Sequence, residues 1–200
     1  LKQGTGTLTL GGANTYTGST TVNAGILQLS GSGTLGVGSA LSLGASGTLD
    51  LNNINTTAGS LAGSGNVQLG SGTLTVGDTT STTFAGILSE TGGLFKQGSG
   101  TLILSGANTY TGGTTVNSGI LEVTGAIAGT TIVGTGGTLS GSGQTGNINN
   151  QGTVAPGTGI GTLRVNGNYI NNSNSSLAID INGNGSGDLL DVSGAVTING

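Results

Sequence analysis

Apolar residues stand two positions apart in many short stretches of the chain, with a polar residue between them. This spacing is typical of a β-strand with one buried face, because successive side chains of a strand point to opposite sides. Gly, Asn and Ser interrupt the stretches, and they tolerate the backbone of tight corners. No stretch has the 3.6-residue period of a capped helix, so the pattern predicts an all-β fold. The clearest pairs are Leu8/Leu10, Leu27/Leu29, Leu41/Leu43, Leu49/Leu51, Leu74/Val76, Leu102/Leu104 and Leu163/Val165.

The strands recur at a spacing that favours a solenoid. Leucines at positions 8, 27, 49, 74, 102, 121, 139 and 163 follow one another at roughly 18 to 28 residues, the range of β-solenoid coils. Stacked coils about 4.8 Å apart would bury one continuous aliphatic column. We therefore predict a single-stranded parallel β-helix of about eight to ten coils, on the order of 40–50 Å long at that rise. A Greek-key sandwich is the alternative, but it explains neither the repetition nor the scarcity of aromatic residues.

One long segment occurs twice. Residues 2–29 and 96–123 align at an offset of 94 residues, with 21 of 28 positions identical. Both copies contain Lys-Gln-Gly-x-Gly-Thr-Leu-x-Leu, then Ala-Asn-Thr-Tyr-Thr-Gly, then Thr-Thr-Val-Asn-x-Gly-Ile-Leu. Identity of this extent is not expected by chance, even in a biased composition, so we treat the segments as two repeat units of one domain covering residues 1–200.

Composition excludes several classes of function. The 200 residues include 45 glycines, one proline and neither histidine nor cysteine, and the net charge is −4. Triads that need His or Cys, His-based metal sites and disulfide frameworks are therefore excluded. With three basic residues, the chain cannot form an ordinary nucleic-acid surface. Disorder is a rival at this glycine content, but Leu, Ile, Val and Phe make up about a quarter of the chain, above the usual limit for disorder.

The duplicated segment resembles the passenger-associated repeat of bacterial autotransporters. The last third resembles the end of such a passenger, in residues 152–157, 160–169, 176–181 and 187–194. The resemblance implies a right-handed parallel β-helix, exported to the surface of a Gram-negative cell or released from it. It also implies that the protein's own C-terminal outer-membrane β-barrel follows as its partner, and that coils 152–200 assist folding. Because the chain opens inside a repeat, we expect it to be a fragment of a longer protein.

The charged and glycine-rich motifs are best explained as structural features and not as catalytic or ligand-binding sites. Two matches to G-x-G-x-x-G, at residues 31–36 and 141–146, precede no helix and are expected to be corners. Asp50 and Glu122 stand at outward strand positions in distant coils, unlike the paired carboxylates of glycosidases. The other acidic residues form no evident cluster, and they are Asp78, Glu90, Asp180, Asp188 and Asp191.

Other motifs also have structural interpretations. The Asn-Gly run of residues 183–191 resembles a calcium repeat but occurs once, so a hairpin-like turn flanked by Asp180 and Asp188 is the better prediction. Lys2 and Lys96 are expected to be solvated or to protect sheet edges. The aromatic residues are expected to pack on the core or at corners, and they are Tyr16, Phe84, Phe95, Tyr110 and Tyr169. We predict no catalytic, cofactor-binding or metal-binding residue.

Three functions remain open at this stage. The favoured one is a non-enzymatic stalk that supports the display and folding of an exported protein. The second is an adhesin or self-associating module that binds a host-surface ligand or another copy through the outer face. The third is a polysaccharide-acting solenoid enzyme, which the fold alone cannot establish.

Overall fold

Parallel strands stack turn upon turn along the chain. The computed structural model describes residues 1–199, and strands are the regular secondary structure throughout them. The paired strands all run parallel, in one sheet of 18 strands and one of three. The result is a β-solenoid of about 9 turns, which confirms the predicted parallel β-helix; its right-handedness stays a prediction. A helix long and apolar enough to span a membrane does not occur in residues 1–199.

The chain visits three faces in each turn, which we call A, B and C in the order of the visits; in some turns a loop or an isolated bridge takes the place of a strand on one face. Face A contains β5 (Ser60–Gly63), β8 (Thr82–Phe84), β11 (Thr101–Leu104), β16 (Thr153–Pro156) and β19 (Ser176–Leu177). Face B contains β1 (Thr7–Leu10), β6 (Asn66–Gln68), β9 (Ile87–Ser89), β14 (Gln144–Thr145), β17 (Thr162–Val165) and β20 (Leu189–Val192). Face C contains β4 (Thr56–Ala58), β7 (Thr73–Val76), β10 (Gly93–Lys96), β15 (Ile148–Asn150), β18 (Tyr169–Asn171) and β21 (Val196–Ile198).

Four longer strands bend from one face onto the next. They are β2 (Thr20–Leu29), β3 (Ala40–Asp50), β12 (Thr114–Val123) and β13 (Thr131–Gly141). The register between β2 and β3 shifts between Val22 and Ala24, and the register between β12 and β13 shifts between Val116 and Ser118. These irregularities place Asn23 and Asn117, which hold the same repeat position, at equivalent bends. An irregularity of this kind lets a strand turn a corner without losing its partner.

Turn length varies while the ladder stays continuous. Thr138 pairs with Thr153, only 15 residues later, whereas Tyr169 pairs with Val196, 27 residues later. Variation of this kind is absorbed in the corner loops, since the strands of each face keep their parallel pairing. Inward-pointing leucines and valines of the three faces form one aliphatic core, as the spacing of apolar residues predicts.

The two repeat units occupy different faces of the solenoid. Lys2 pairs with Val22 on face A, and β1 of the same repeat lies on face B. In the second repeat, Lys96 ends β10 on face C, and the equivalent strand β11 lies on face A. An offset of 94 residues therefore corresponds to four turns and two further faces, because the turns of this region contain about 20 residues. The repeats consequently do not stack on each other.

The first and last turns are open to solvent. The first buried residue is Thr20, which is 8% exposed, and residues 172–199 include no buried side chain. Each of these turns has a neighbouring turn on only one side within the described residues, so its inward face is only half covered. Gly200, the last residue of the predicted 1–200 and 152–200 units, lies outside the residues that the structure describes.

Candidate functional site

A buried lysine begins the second repeat. Lys96 is 2% exposed and ends strand β10. Its Nζ donates to the carbonyl oxygens of Gln97 at 2.8 Å, Gly98 at 3.0 Å and Ser118 at 3.2 Å. The prediction of a solvated or edge-protecting lysine is therefore wrong for Lys96. An ammonium group has three donors, and here each of them finds a backbone acceptor, which is what makes its burial tolerable.

The first repeat builds the same corner. Nζ of Lys2 donates to the carbonyl oxygens of Gly4 at 2.6 Å, Ala24 at 3.0 Å and Gln3 at 3.2 Å. Lys2 is only partly buried, and the described residues hold a neighbouring turn on one side of it. Lys2 therefore meets the carbonyls of its own corner and of the next turn, as Lys96 does. Lys2 differs from Lys96 in that it stays partly exposed, as predicted for a solvated lysine, although its ammonium also donates to the backbone.

A glycine opposite each lysine makes room for the ammonium. Gly25 and Gly119 have φ values of +74° and +67°, in the left-handed region that disfavours residues with a Cβ. A Cβ at Gly25 would lie 2.6 Å from Nζ of Lys2, and one at Gly119 would lie 2.9 Å from Nζ of Lys96. The glycine of each Gly-Ile-Leu segment is therefore required by the structure, because only a residue without a Cβ lets the next turn close over the lysine.

Burial has an electrostatic consequence at this corner. Removal from water lowers the pKa of Lys96, and the Asp78 carboxylate acts in the opposite direction. The ammonium makes its hydrogen bonds to carbonyl dipoles rather than to a carboxylate. Its role is therefore that of a cross-link between neighbouring turns.

A tyrosine and an asparagine complete the second repeat. The hydroxyl of Tyr110 lies 2.5 Å from Oγ1 of Thr114, and Asn108 donates from Nδ2 to the carbonyls of Gly106 and Ala126, both at 3.0 Å. Burial raises the pKa of Tyr110 far above its usual value. Tyr110 is fully buried, so its ring fills the interior of the turn and its hydroxyl is satisfied locally.

The first repeat repeats these contacts at an open edge. The hydroxyl of Tyr16 lies 2.7 Å from Oγ1 of Thr20, and Asn14 donates to the carbonyls of Gly12 at 2.9 Å and Thr34 at 2.8 Å. Asn14 and Asn108 therefore serve as turn residues that also bond to the next turn. Within each repeat, one amide side chain joins its own corner to the next turn.

The acidic residues are dispersed, and those in corners hold backbone groups. Asp50 accepts from Nε2 of Gln28 and from the backbone N–H of Asn52, at 2.7 and 2.8 Å. Glu90 accepts from the N–H of Gly70 and lines the same shallow depression of about 440 Å³. Glu122 points outward from β12 on face A, as predicted. In the described part of the chain, no three His, Cys, Asp or Glu side chains come together as metal ligands would.

The Asn-Gly run forms the predicted hairpin. Ile181 and Gly187 make an antiparallel bridge, and the N–H of Asp188 donates to the carbonyl of Asp180 at 2.9 Å. The Asp188 carboxylate accepts from the N–H groups of Asp180 and Gly161, at 2.9 and 2.8 Å. Asp188 thus fastens the hairpin to the preceding turn. The two G-x-G-x-x-G matches also lie where predicted, at corners and strand ends without a helix.

The aromatic residues divide into two groups. Phe84, Tyr110 and Tyr169 are fully buried, as expected for residues that pack on the core. Phe95 differs, because its neighbours Leu94 and Lys96 point inward and it must therefore point outward from β10. The prediction of a core or corner position is wrong for Phe95.

We use the name lysine corner for the site at which Lys2 or Lys96 donates to backbone carbonyls of its own turn and the next. Sequence reasoning missed this site, although a signal for it was present. Two of the three basic residues hold the same position in the two repeats, each two residues before a Gly-x-Gly. In a chain so poor in charge, that coincidence indicates a fixed partner. The partner itself was not recognisable, because it is a set of backbone carbonyls that only the corner brings together.

Comparison with known proteins supports the repeat assignment. The family described as passenger-associated-transport-repeat matches residues 1–29 and 94–123. The chain is 42% identical over 105 residues, 52% of its length, to an extracellular serine protease of Serratia marcescens. It is 38% identical over 172 residues, 84% of its length, to the adhesin BmaC autotransporter of Brucella suis.

The aligned parts are small fractions of these relatives. They amount to 10% of the Serratia protein and 5% of the Brucella protein. No solved structure matches the chain.

Proposed function

Because this chain is an autotransporter passenger segment with two passenger-associated transport repeats, we propose that it is a non-enzymatic stalk of such a passenger. In this role it supports the display of the exported protein on the surface of a Gram-negative cell. The observation that carries the proposal is the parallel ladder that passes without interruption through both repeats. The partner that this proposal requires is the protein's own C-terminal outer-membrane β-barrel.

The solenoid suits a chain that leaves a membrane progressively. Each turn contacts only its neighbours, so a new turn can form on the edge of the turn already folded. The lysine corner adds to this, since Lys96 binds the carbonyl of Ser118 one turn ahead. Because each turn folds as soon as it emerges, the folded turns prevent the exported chain from sliding back through the membrane.

We also propose that coils 152–200 assist folding. Their strands β16 to β21 pair in parallel with the turns before them. The strand edges of such a turn are a template on which the preceding turn can order. The resemblance of these residues to the end of a passenger supports the same role.

Three deletions in the full-length protein test both parts of the proposal. Removing residues 157–200 is expected to reduce the amount of protease-resistant passenger on the cell surface. Removing residues 1–44, an equal length, is expected to shorten the rod and leave its resistance largely intact. The readouts are surface labelling of intact cells and the pattern of limited proteolysis. Equal loss from the two deletions contradicts a special role for the C-terminal coils, and unaltered display after removal of residues 1–199 contradicts the stalk.

Adhesion is the second candidate function. It is favoured by the similarity to a relative named as an adhesin. The outer faces carry mostly Thr, Ser and Asn, and with a net charge of −4 little repulsion opposes contact with another surface. A host-surface ligand and a second copy of the chain are both compatible with such a surface.

A further inference from the structure

A groove crosses four successive turns on the outer surface at face C. One half is lined by Thr34, Val37 and Asn55 and has a volume of about 290 Å³. The other half continues from Asn55 to Phe95 and Gln97 and has a volume of about 470 Å³. The two halves share Asn55 and Thr57, so they form one depression along the solenoid axis.

The floor of the groove presents hydroxyl and amide groups at the spacing of the turns. Thr57 pairs with Thr75, and Thr75 pairs with Phe95, so these three outward side chains stand in one column. Asn55 flanks the column, and its Oδ1 accepts from the backbone N–H of Thr73 at 2.7 Å. That bond fixes the plane of the amide. The lining residues of both halves are all uncharged.

Apolar groups stand toward both ends of the groove. Phe95 projects from β10 instead of joining the core, and Val37 is 79% exposed at its corner. An outward phenyl ring next to threonine hydroxyls gives a flat apolar surface with hydrogen-bonding groups at its rim. Ligand sites combine these two features, an apolar platform and a few polar groups that fix orientation.

We propose that this groove binds a linear, neutral glycan, with one pyranose ring stacked on Phe95. A pyranose ring has an apolar C–H face that suits an aromatic ring and hydroxyls that suit Thr57, Thr75 and the amide of Gln97. In an extended glycan each residue advances about 5 Å, close to the spacing of about 4.8 Å between turns. Successive sugar residues therefore meet equivalent groups of successive turns. The absence of charge in the lining selects against acidic or sulfated glycans.

A peptide ligand fits this face less well. Peptides commonly bind solenoids and sheets by adding a strand, which requires unpaired N–H and C=O groups. The strands that form the floor, β4, β7 and β10, are paired with one another. Only side chains are available in the groove, and their hydroxyl and amide groups match a ligand rich in hydroxyls.

Binding of neutral tetrasaccharides to the chain tests the proposal. The probes are maltotetraose, cellotetraose and chitotetraose, with tetragalacturonate as the charged comparison, measured by titration calorimetry and chemical-shift mapping. At least one neutral probe is expected to bind, and the charged probe at least about tenfold more weakly. Shifts are expected at Asn55, Thr75 and Phe95.

Two matched variants separate stacking from general surface effects. Phe95→Ala is expected to reduce affinity for the neutral probe about tenfold or more, since it removes the ring that stacks on the sugar. Ile132→Ala is the control, because Ile132 also points outward on face C, two turns later, and is 39% exposed. It is expected to bind as the wild type does. Unaltered melting of both variants verifies the fold. Absence of binding to all neutral probes, or equal affinity of Phe95→Ala and wild type, overturns the proposal.

Discussion

The two repeats have nearly the same sequence but very different surroundings. Lys2 and Tyr16 lie in the first described turn, whereas Lys96 and Tyr110 have a described turn on each side. Tyr16 is 37% exposed and Tyr110 is fully buried, although each hydroxyl meets the threonine four residues later. The repeat sequence thus sets the local hydrogen bonds, and the neighbouring turns supply the burial. In a solenoid, identical residues in two repeats are therefore expected to contribute unequally to the free energy of unfolding.

The largest expected difference concerns the tyrosines. Tyr110→Ala removes a ring enclosed by two turns and should destabilise the chain by about 3–5 kcal/mol, the usual cost of deleting a buried aromatic side chain. Tyr16→Ala removes a ring that is already 37% exposed and should cost about 1 kcal/mol or less, as surface changes do. Urea unfolding of the two variants, followed by circular dichroism, measures the difference. Similar losses for both variants would show that burial does not distinguish the repeats.

Substitution of the two lysines should change the free energy of unfolding by amounts that differ less than those of the two tyrosines. Lys96→Met keeps the length of the side chain but leaves the carbonyls of Gln97, Gly98 and Ser118 without this donor, at a cost of about 1–3 kcal/mol for buried groups. Lys2→Met should cost about 0.5 kcal/mol or less, because water reaches the first turn. Hydrogen exchange at Ile120 and Leu121 provides a local measurement. If Lys96→Met is as stable as the wild type, the lysine is not a cross-link between turns.

The smallest expected effect is a dependence on alkaline pH. Burial raises the pKa of Tyr110, so the folded chain keeps its proton while an unfolded tyrosine ionises near pH 10. The unfolded state then binds fewer protons, and the stabilisation present below about pH 10 is lost as the pH rises above it. Tyr110→Phe should therefore weaken the fall in the free energy of unfolding between about pH 10 and pH 11 by about 1 kcal/mol.

Tyr16→Phe is the matched comparison for the alkaline effect, since Tyr16 is 37% exposed whereas Tyr110 is fully buried. Tyr110→Phe should weaken the alkaline fall more than Tyr16→Phe does. Burial also raises the pKa of Tyr169, so part of the alkaline slope should persist in Tyr110→Phe. Identical profiles for Tyr110→Phe and Tyr16→Phe would contradict the assignment of the slope to the buried ring.

Much of the fold could be predicted because the alternation of apolar and polar residues along a strand indicates which side of it is buried. Leu27/Leu29 and Leu102/Leu104 both point inward, as predicted from their spacing. The core position predicted for Phe95 failed, because the phase of its strand places Leu94 and Lys96 inward instead. Residue type favoured a buried ring, and the alternation of the strand overrode that preference.

The lysine corner and the groove on face C could not be predicted in the same way. The acceptors of Lys96 are backbone oxygens, which have no identity in the sequence. Thr57, Thr75 and Phe95 are separated by about 20 residues and become neighbours only because the corner loops set the length of each turn. A loop one residue longer would be tolerated wherever the strands kept their register.

The amino-acid sequence by itself determined the alternating strands, the glycine corners and the duplicated unit, because each depends on contacts within a few residues. Only the tertiary structure decided which face each repeat occupies. The second repeat begins four turns and two faces after the first, and that phase is the accumulated length of every loop between them. Burial of Tyr110 and exposure of Tyr16 were also decided by the tertiary structure, since a turn is enclosed only by the turns stacked against it.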